Sequence, residues 1–377
     1  MLRKKRFTIL VIVSISLLSG CWERPSTHLP NIQQEEETGK KNGVESEHLE
    51  SKKILPLSVS EGEFEVVIGW LNDETIVYLS TLEQRSILTT YNIFSGTTVT
   101  LYESESPIAS VDISPSKEKL LIHTSPYDNK AILTIIDLEG TELISKSIVS
   151  SEIMCEWNSF NEDQVLISQF NEEWEYQVSI FNIKENKLSK LSLNEPFANW
   201  LNKEELIYLD WDEFEPSLFA PVIKQGSSEK KGEQLDFANV FKMFSFNDIL
   251  LTISVEDSSQ EKAVYTFYSN QLKALQDFTI PQLTSFSDWL VPYHDFNHKK
   301  KQFITLSPVT SGEADIYQDG FQLVKFDLDD GKKSVLLEDL DNCPISISPS
   351  GKYCLFGNQL ESIINLDLKT ITELVEV

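Results

Sequence analysis

From Ile54 to the end of the chain, apolar residues come in short runs rich in Val, Ile, Leu, Phe, Tyr and Trp, separated by clusters of Asn, Asp, Ser, Pro and Gly. β-Branched and aromatic runs bounded by turn formers predict strands joined by tight corners. One corner recurs. It opens on Trp70, Ile113, Trp157, Trp200 and Phe244, at intervals of 43, 44, 43 and 44 residues, and again on Ile347, with a weaker copy between Trp289 and Phe303 that brings the count to seven. A second marker runs in phase with it: an apolar residue, then Asn or Asp, then Ile or Leu, often closed by glycine. Tyr91-Asn92-Ile93-Phe94-Ser95-Gly96, Ile136-Asp137-Leu138-Glu139-Gly140, Phe181-Asn182-Ile183, Phe326-Asp327-Leu328 and Leu366-Asp367-Leu368 carry it.

Each repeat therefore reads strand, polar corner, strand, loop, strand, tight turn, strand. A four-stranded unit of this length cannot bury its faces alone, and stacking such units around an axis gives a β-propeller. The fold expected is all-β, a propeller of about seven four-stranded blades over residues 54–377, with six blades as the alternative. The fourth repeat, broken by the polar stretch Lys224 to Gly232, is the one expected to be incomplete. Trp70, Trp157, Trp200 and Trp289 share one place in the repeat and are expected to pack between blades.

Ahead of the repeats the pattern changes twice. Residues 1–20 form a basic cluster, Arg3-Lys4-Lys5-Arg6, then an apolar run from Phe7 to Leu18, ending at Leu18-Ser19-Gly20-Cys21. The run is too short for a permanent span and is an export signal. Small residues before Cys21 admit a peptidase, and the Cys21 thiol accepts a diacylglyceryl group, so the expected partner of the N-terminus is a membrane. Residues 21–53 are polar and aperiodic, which predicts a disordered tether that reaches about 30 Å as a random coil. The body is expected at the cell membrane, lipid-anchored on its extracytoplasmic side.

With that N-terminus, the corners acquire a family likeness. They resemble the Trp-Ser-Pro-Asp-Gly-Lys element of propellers related to the TolB protein, most closely at Ile113-Ser114-Pro115-Ser116 and Ile347-Ser348-Pro349-Ser350-Gly351-Lys352. Signal, tether and propeller together resemble the YqgU-like propeller lipoproteins of Gram-positive bacilli. The resemblance implies a propeller, described in that family as six-bladed, and an envelope address. It implies no catalytic residue.

The formal net charge of −27 argues against nucleic acid as a partner, since phosphates call for basic patches that are absent here. After Cys21 only Cys155, Cys343 and Cys354 remain, too few for a disulfide framework. Cys155 reads as a strand residue, and a Pro349–Lys352 hairpin puts Cys354 opposite Ile347, leaving Cys343 out of register. His294 and His298 have zinc spacing only on a helix, which this segment does not predict. No nucleophile elbow, phosphate loop or nucleotide fingerprint occurs.

Two acidic loops remain. Glu172, Glu173 and Trp174 in one repeat, and Asp210, Trp211, Asp212 and Glu213 in the next, occupy matching places between second and third strands. They form the candidate binding face. Their carboxylates suit a cation, Ca²⁺ included, although the spacing is not that of a calcium loop. No resident cofactor is expected. The function expected is a non-enzymatic module binding an envelope protein or glycan. The alternative is an enzyme acting on envelope glycans or peptides through paired carboxylates.

Overall fold

Every repeat closes into its own antiparallel sheet. The computed structural model describes residues 52–375 apart from 60, 128, 213–216, 256–260 and 286–287. The signal, Cys21, nearly all of the tether and Glu213 thus lie outside the described residues. Among the described residues seven four-stranded sheets, six of them from consecutive strands, span residues 63–104, 108–148, 152–190, 198–234, 240–281, 294–340 and 345–373, the sixth being interrupted by Gly312–Glu313 of another sheet. We call them blades 1 to 7. The only helical piece among the described residues is a single 3-10 turn, Ala314–Ile316, and no described helix is long and apolar enough to cross a membrane.

The apolar side chains form seven clusters, and each cluster joins two successive blades. Blades 1 and 2 share Leu79, Leu88, Ile108 and Ile122, and blades 3 and 4 share Leu166, Val178, Trp200 and Tyr208. The last cluster joins blade 7 to blade 1 through Tyr353, Leu355, Trp70 and Ile76. Seven seams for seven blades make a closed ring, which is how sheets with two apolar faces bury both.

Among the described residues no strand is exchanged at the closing seam. A strap just ahead of blade 1 crosses it instead. Leu55 donates to Ile93 O at 2.8 Å, Leu57 donates to Leu374 O at 2.6 Å, and Leu57 pairs in parallel with Val375. The Tyr91 hydroxyl meets the carbonyls of Leu55 and Pro56 at 3.0 and 2.8 Å.

The corners are polar because their side chains replace backbone partners in the turn. Asn72 Oδ1 accepts the amides of Glu74 and Thr75, and Asn202 Oδ1 those of Glu204 and Glu205. The Ser114 and Ser348 hydroxyls accept from Lys119 and Tyr353. The second marker works alike between third and fourth strands, where Asn92 accepts from Phe94 and Ser95, and Asp137 from Glu139 and Thr141. Antiparallel alternation puts corners and second markers on one face, the corner face. Loops between second and third strands share the opposite face, the loop face, with the connections between blades.

The structure corrects four expectations. The blade 5 corner is Phe246, paired to Ile249 across a two-residue turn, rather than Phe244. Blade 4 is complete, although its last strand, Glu233–Gln234, has two residues. Trp289 is not at a corner: it pairs Thr284 in a separate three-stranded sheet, where Leu283–Thr284 also runs parallel to Gly312–Glu313. It packs on Phe219 and Phe241, while the blade 6 corner is Phe296, paired to Phe303. In blade 7 the turn cap is Asn365, which accepts from Asp367 and Leu368, rather than Asp367.

Trp70, Trp157 and Trp200 lie in the clusters between blades. Cys155 is half-buried on the first strand of blade 3, and Cys343 and Cys354 are buried free thiols. Cys354 faces Ile347. His294 sits against Phe244 and Phe303, its Nδ1 2.9 Å from Pro292 O.

Candidate functional site

The corner residues of the seven blades are Trp70, Ile113, Trp157, Trp200, Phe246, Phe296 and Ile347, each paired across its corner. One residue earlier on the innermost strands stand Gly69, Asp112, Glu156, Asn199, Ser245, Asp295 and Ser346. This row of polar and small residues in otherwise apolar strands lines the axis. Gly69, Asp112, Asp295 and Ser346 border a cavity of about 720 Å³ that opens among the corners. Glu156 and Asn199 border a smaller one of about 260 Å³. A Cβ added at Gly69 would meet Ile113 Cδ1 at 3.3 Å, so glycine keeps that wall back.

A seam rule governs the row. The carboxylate of one blade accepts the backbone N–H of the next blade's corner residue: Glu156 from Trp200 at 3.3 Å, Asp295 from Ile347 at 2.6 Å. Corner indoles donate to the preceding row carbonyl, Trp200 Nε1 to Glu156 O at 3.4 Å and Trp70 Nε1 to Ser346 O at 2.9 Å. Burial raises all three acids, Asp112 and Asp295 to about 6 and Glu156 to about 7.

Lys117 completes the larger cavity. Its Nζ donates to Trp70 O at 2.7 Å. Burial lowers its pKa, against the opposing pull of Asp295 and Asp73. Asp73 in turn accepts the Ser350 amide at 2.6 Å. Reasoning from sequence did not single out Asp112, Glu156, Asp295 or Lys117. The signal was present, because aligning the seven repeats exposes one recurrent polar position beside the corner.

The residues that the sequence did single out lie on the other face. Trp174 is 70% exposed, in a turn where Asn171 Oδ1 accepts the amides of Glu173 and Glu175. Its ring stands edge-on to Phe170 at 5.9 Å, and Phe170 contacts the 58% exposed Phe197 at 6.0 Å. Asn129 of blade 2 donates to Glu172 at 2.7 Å. In blade 4 the loop with Asp210 and Asp212 carries Trp211, 37% exposed, whose amide donates to Glu195 at 2.8 Å. Tyr127 and Val149 of blade 2 and Leu218 of blade 4 are further exposed apolar side chains on this face. Among the described residues no three His, Cys, Asp or Glu side chains are grouped to hold a metal ion, which leaves calcium without a described ligand set.

Residues 92–357 match the family described as "YqgU-like 6-bladed beta propeller domain". That description counts six blades. The matched span takes in five whole blades of this chain and strands from blades 1 and 7, whereas the described residues form seven blades. The chain is 26% identical over 375 residues to the uncharacterized lipoprotein YqgU of Bacillus subtilis (strain 168), covering 100% of this chain and 98% of that one.

Among solved structures it is similar to the uncharacterized protein lmo1340 of Listeria monocytogenes EGD-e, with a TM-score of 0.80, 22% identity, and 86% and 98% of the two chains covered. It is also similar to the β-propeller domain of the Trilobed protease from Pyrococcus furiosus, at a TM-score of 0.55 and 12% identity over 84% and 99% of the two chains. That domain is described as having an open velcro topology, and at these identities the likeness is one of fold. With the match extending over more than half of its length, the chain belongs to the family of YqgU-like β-propellers.

Proposed function

We propose that this protein is an extracytoplasmic lipoprotein, acylated at Cys21, with residues 1–20 removed as its signal and 21–53 as a tether. Its propeller is a non-enzymatic binding module of the cell envelope. The B. subtilis relative that it matches end to end is named a lipoprotein, and the thiol at the end of the apolar run supplies the chemistry. Cys21→Ala tests the anchor: the variant should leave the detergent phase that retains the parent. Equal retention overturns it.

The loop face is the binding surface of this reading. One observation carries it: Trp174 is held outward by its own turn among carboxylates, and Phe170 links its ring to the exposed Phe197. Exposed aromatics that stand together mark recognition surfaces. An acidic rim around π-faces selects a cationic partner, through charge pairing and cation–π contact. The partner class proposed is a basic segment of an envelope protein, gripped by Trp174, Trp211, Glu172, Glu173, Asp210 and Asp212, with Glu213 on the same loop.

Enzymatic use of paired carboxylates finds no support at this face, where Glu172 is engaged by Asn129. The test is tryptophan fluorescence during titration with a lysine-rich peptide carrying one aromatic residue. Binding should weaken steeply with salt and fall in Trp174→Ala. Equal binding of an acidic peptide of the same length, or no response to Trp174→Ala, overturns the reading.

A further inference from the structure

The axial cavity on the corner face is separate from that surface. Two observations there, and one in the adjoining seam of blades 2 and 3, are left over once the seam hydrogen bonds are accounted for. The first is Asp112. Glu156 and Asp295, its counterparts in the row, accept amides of the next blade. Among the described residues Asp112 has no hydrogen bond or ion pair, so it is an uncompensated carboxylate at a cavity wall.

The second is Trp157, which follows Asp112 around the ring. Its indole nitrogen is buried without a partner, where the equivalent Trp70 and Trp200 indoles both donate across their seams. A buried unsatisfied donor costs about 1–3 kcal/mol and calls for an explanation. The third is Lys117. In blade 7 the same place in the Ser-Pro-Ser corner is Gly351, at φ +66°, the left-handed region that glycine enters freely. Blade 2 holds a lysine there at φ +64°, a conformation kept at functional sites despite its cost. Its ammonium enters the cavity and spends one of three donors on Trp70 O.

We propose that this cavity binds a small hydroxylated amine, of amino-sugar size, with its ammonium on Asp112 and a hydroxyl on the free donors of Lys117. The volume of about 720 Å³ suits such a molecule. Asp295 takes the ammonium less readily, since the amides of Ile347 and Phe296 occupy both of its oxygens, and Asp73 has one oxygen held by the Ser350 amide.

Calorimetric titration of the purified full chain in detergent tests this, with glucosamine as ligand, glucose as its uncharged match, and sodium chloride at the same ionic strength as a control. Glucosamine should bind and raise the melting midpoint, and glucose and salt should do neither. Asp112→Asn should weaken glucosamine by about tenfold or more, the usual consequence of losing a charged hydrogen-bond partner. Lys117→Gly is the folding control. It relieves the left-handed strain and should melt higher than the parent without ligand, yet bind glucosamine more weakly. Equal binding of glucose and glucosamine, no binding of glucosamine, or unchanged affinity in Asp112→Asn overturns the proposal. Because the cavity is on the corner face, Trp174→Ala should leave glucosamine binding unchanged, which separates this result from the test of the loop face.

Discussion

The two faces of the ring are made of equally polar loops, and they differ in what that polarity does. On the corner face the side chains of Asn72, Ser114, Asn202 and Ser348 cap their own turns. Others reach the next blade: Ser116 and Glu162 join blades 2 and 3, and Asn297 donates to Ser348 O and Pro349 O across the seam of blades 6 and 7. That face is spent on closure, so the few groups left unpaired there, Asp112 foremost, are informative. On the loop face the polar groups hold their turns open and leave Trp174 and Phe197 to solvent. Polarity in a corner reports the fold, whereas an exposed aromatic in a loop reports a contact still to be made.

The widest separation between the two is in stability. Trp200, 1% exposed in the cluster of blades 3 and 4, should lose about 3 to 5 kcal/mol on truncation to alanine. Trp174→Ala and Trp211→Ala should each stay within about 0.5 kcal/mol of the parent, as exposed sites do. Chemical denaturation of the three variants checks this, and similar losses would erase the distinction between faces.

A second effect singles out the axial acids. Burial raises Glu156 from its ordinary 4.5 to about 7, so the folded state holds that proton more tightly than the unfolded chain. Its stabilising contribution is complete below about pH 4.5 and is lost as pH rises through about 7. Glu156→Gln keeps an acceptor for the Trp200 amide and cannot ionise. It should match the parent near pH 4 and exceed it by on the order of 2 kcal/mol near pH 8. Melting curves across that range decide it, and a constant difference would place the carboxyl outside the buried row.

The smallest effect concerns the strap. Tyr91→Phe removes the hydroxyl that meets Leu55 O and Pro56 O and should cost about 1 kcal/mol. Amide exchange at Leu55 and Leu57 should accelerate while the blade interiors keep their protection. Acceleration throughout the ring would mean that strap and blades open together.

The blade repeat was legible because six of the seven corners carry a capping oxygen one or two residues past the corner residue, so Asn72, Ser114, Asn158, Asn202, Asn297 and Ser348 leave a periodic trace. The small sheet of Leu283–Thr284, Trp289–Leu290 and Gly312–Glu313 left none. Strands of two residues carry no alternation, and their parallel pairing joins segments far apart in the chain. Trp289 looked like a corner because it falls at nearly the right interval. The loop aromatics were found through their acidic neighbours. The axial row was missed because one polar residue per strand reads as noise until seven strands are superposed.

The strap has a mechanical consequence. The segment just ahead of blade 1 is tied to the ring at Leu55 and Leu57, which bond to blade 1 at Ile93 and to blade 7 at Leu374, and at Lys52, which pairs with Glu74 of blade 1. Tension arriving from the N-terminus is therefore divided between the first and last blades. The parallel pairing of Leu57 with Val375 is a single bridge, so that load falls on it and on the two backbone bonds of Leu55 and Leu57. The seam without an exchanged strand is thus also the place where the ring takes up a pull.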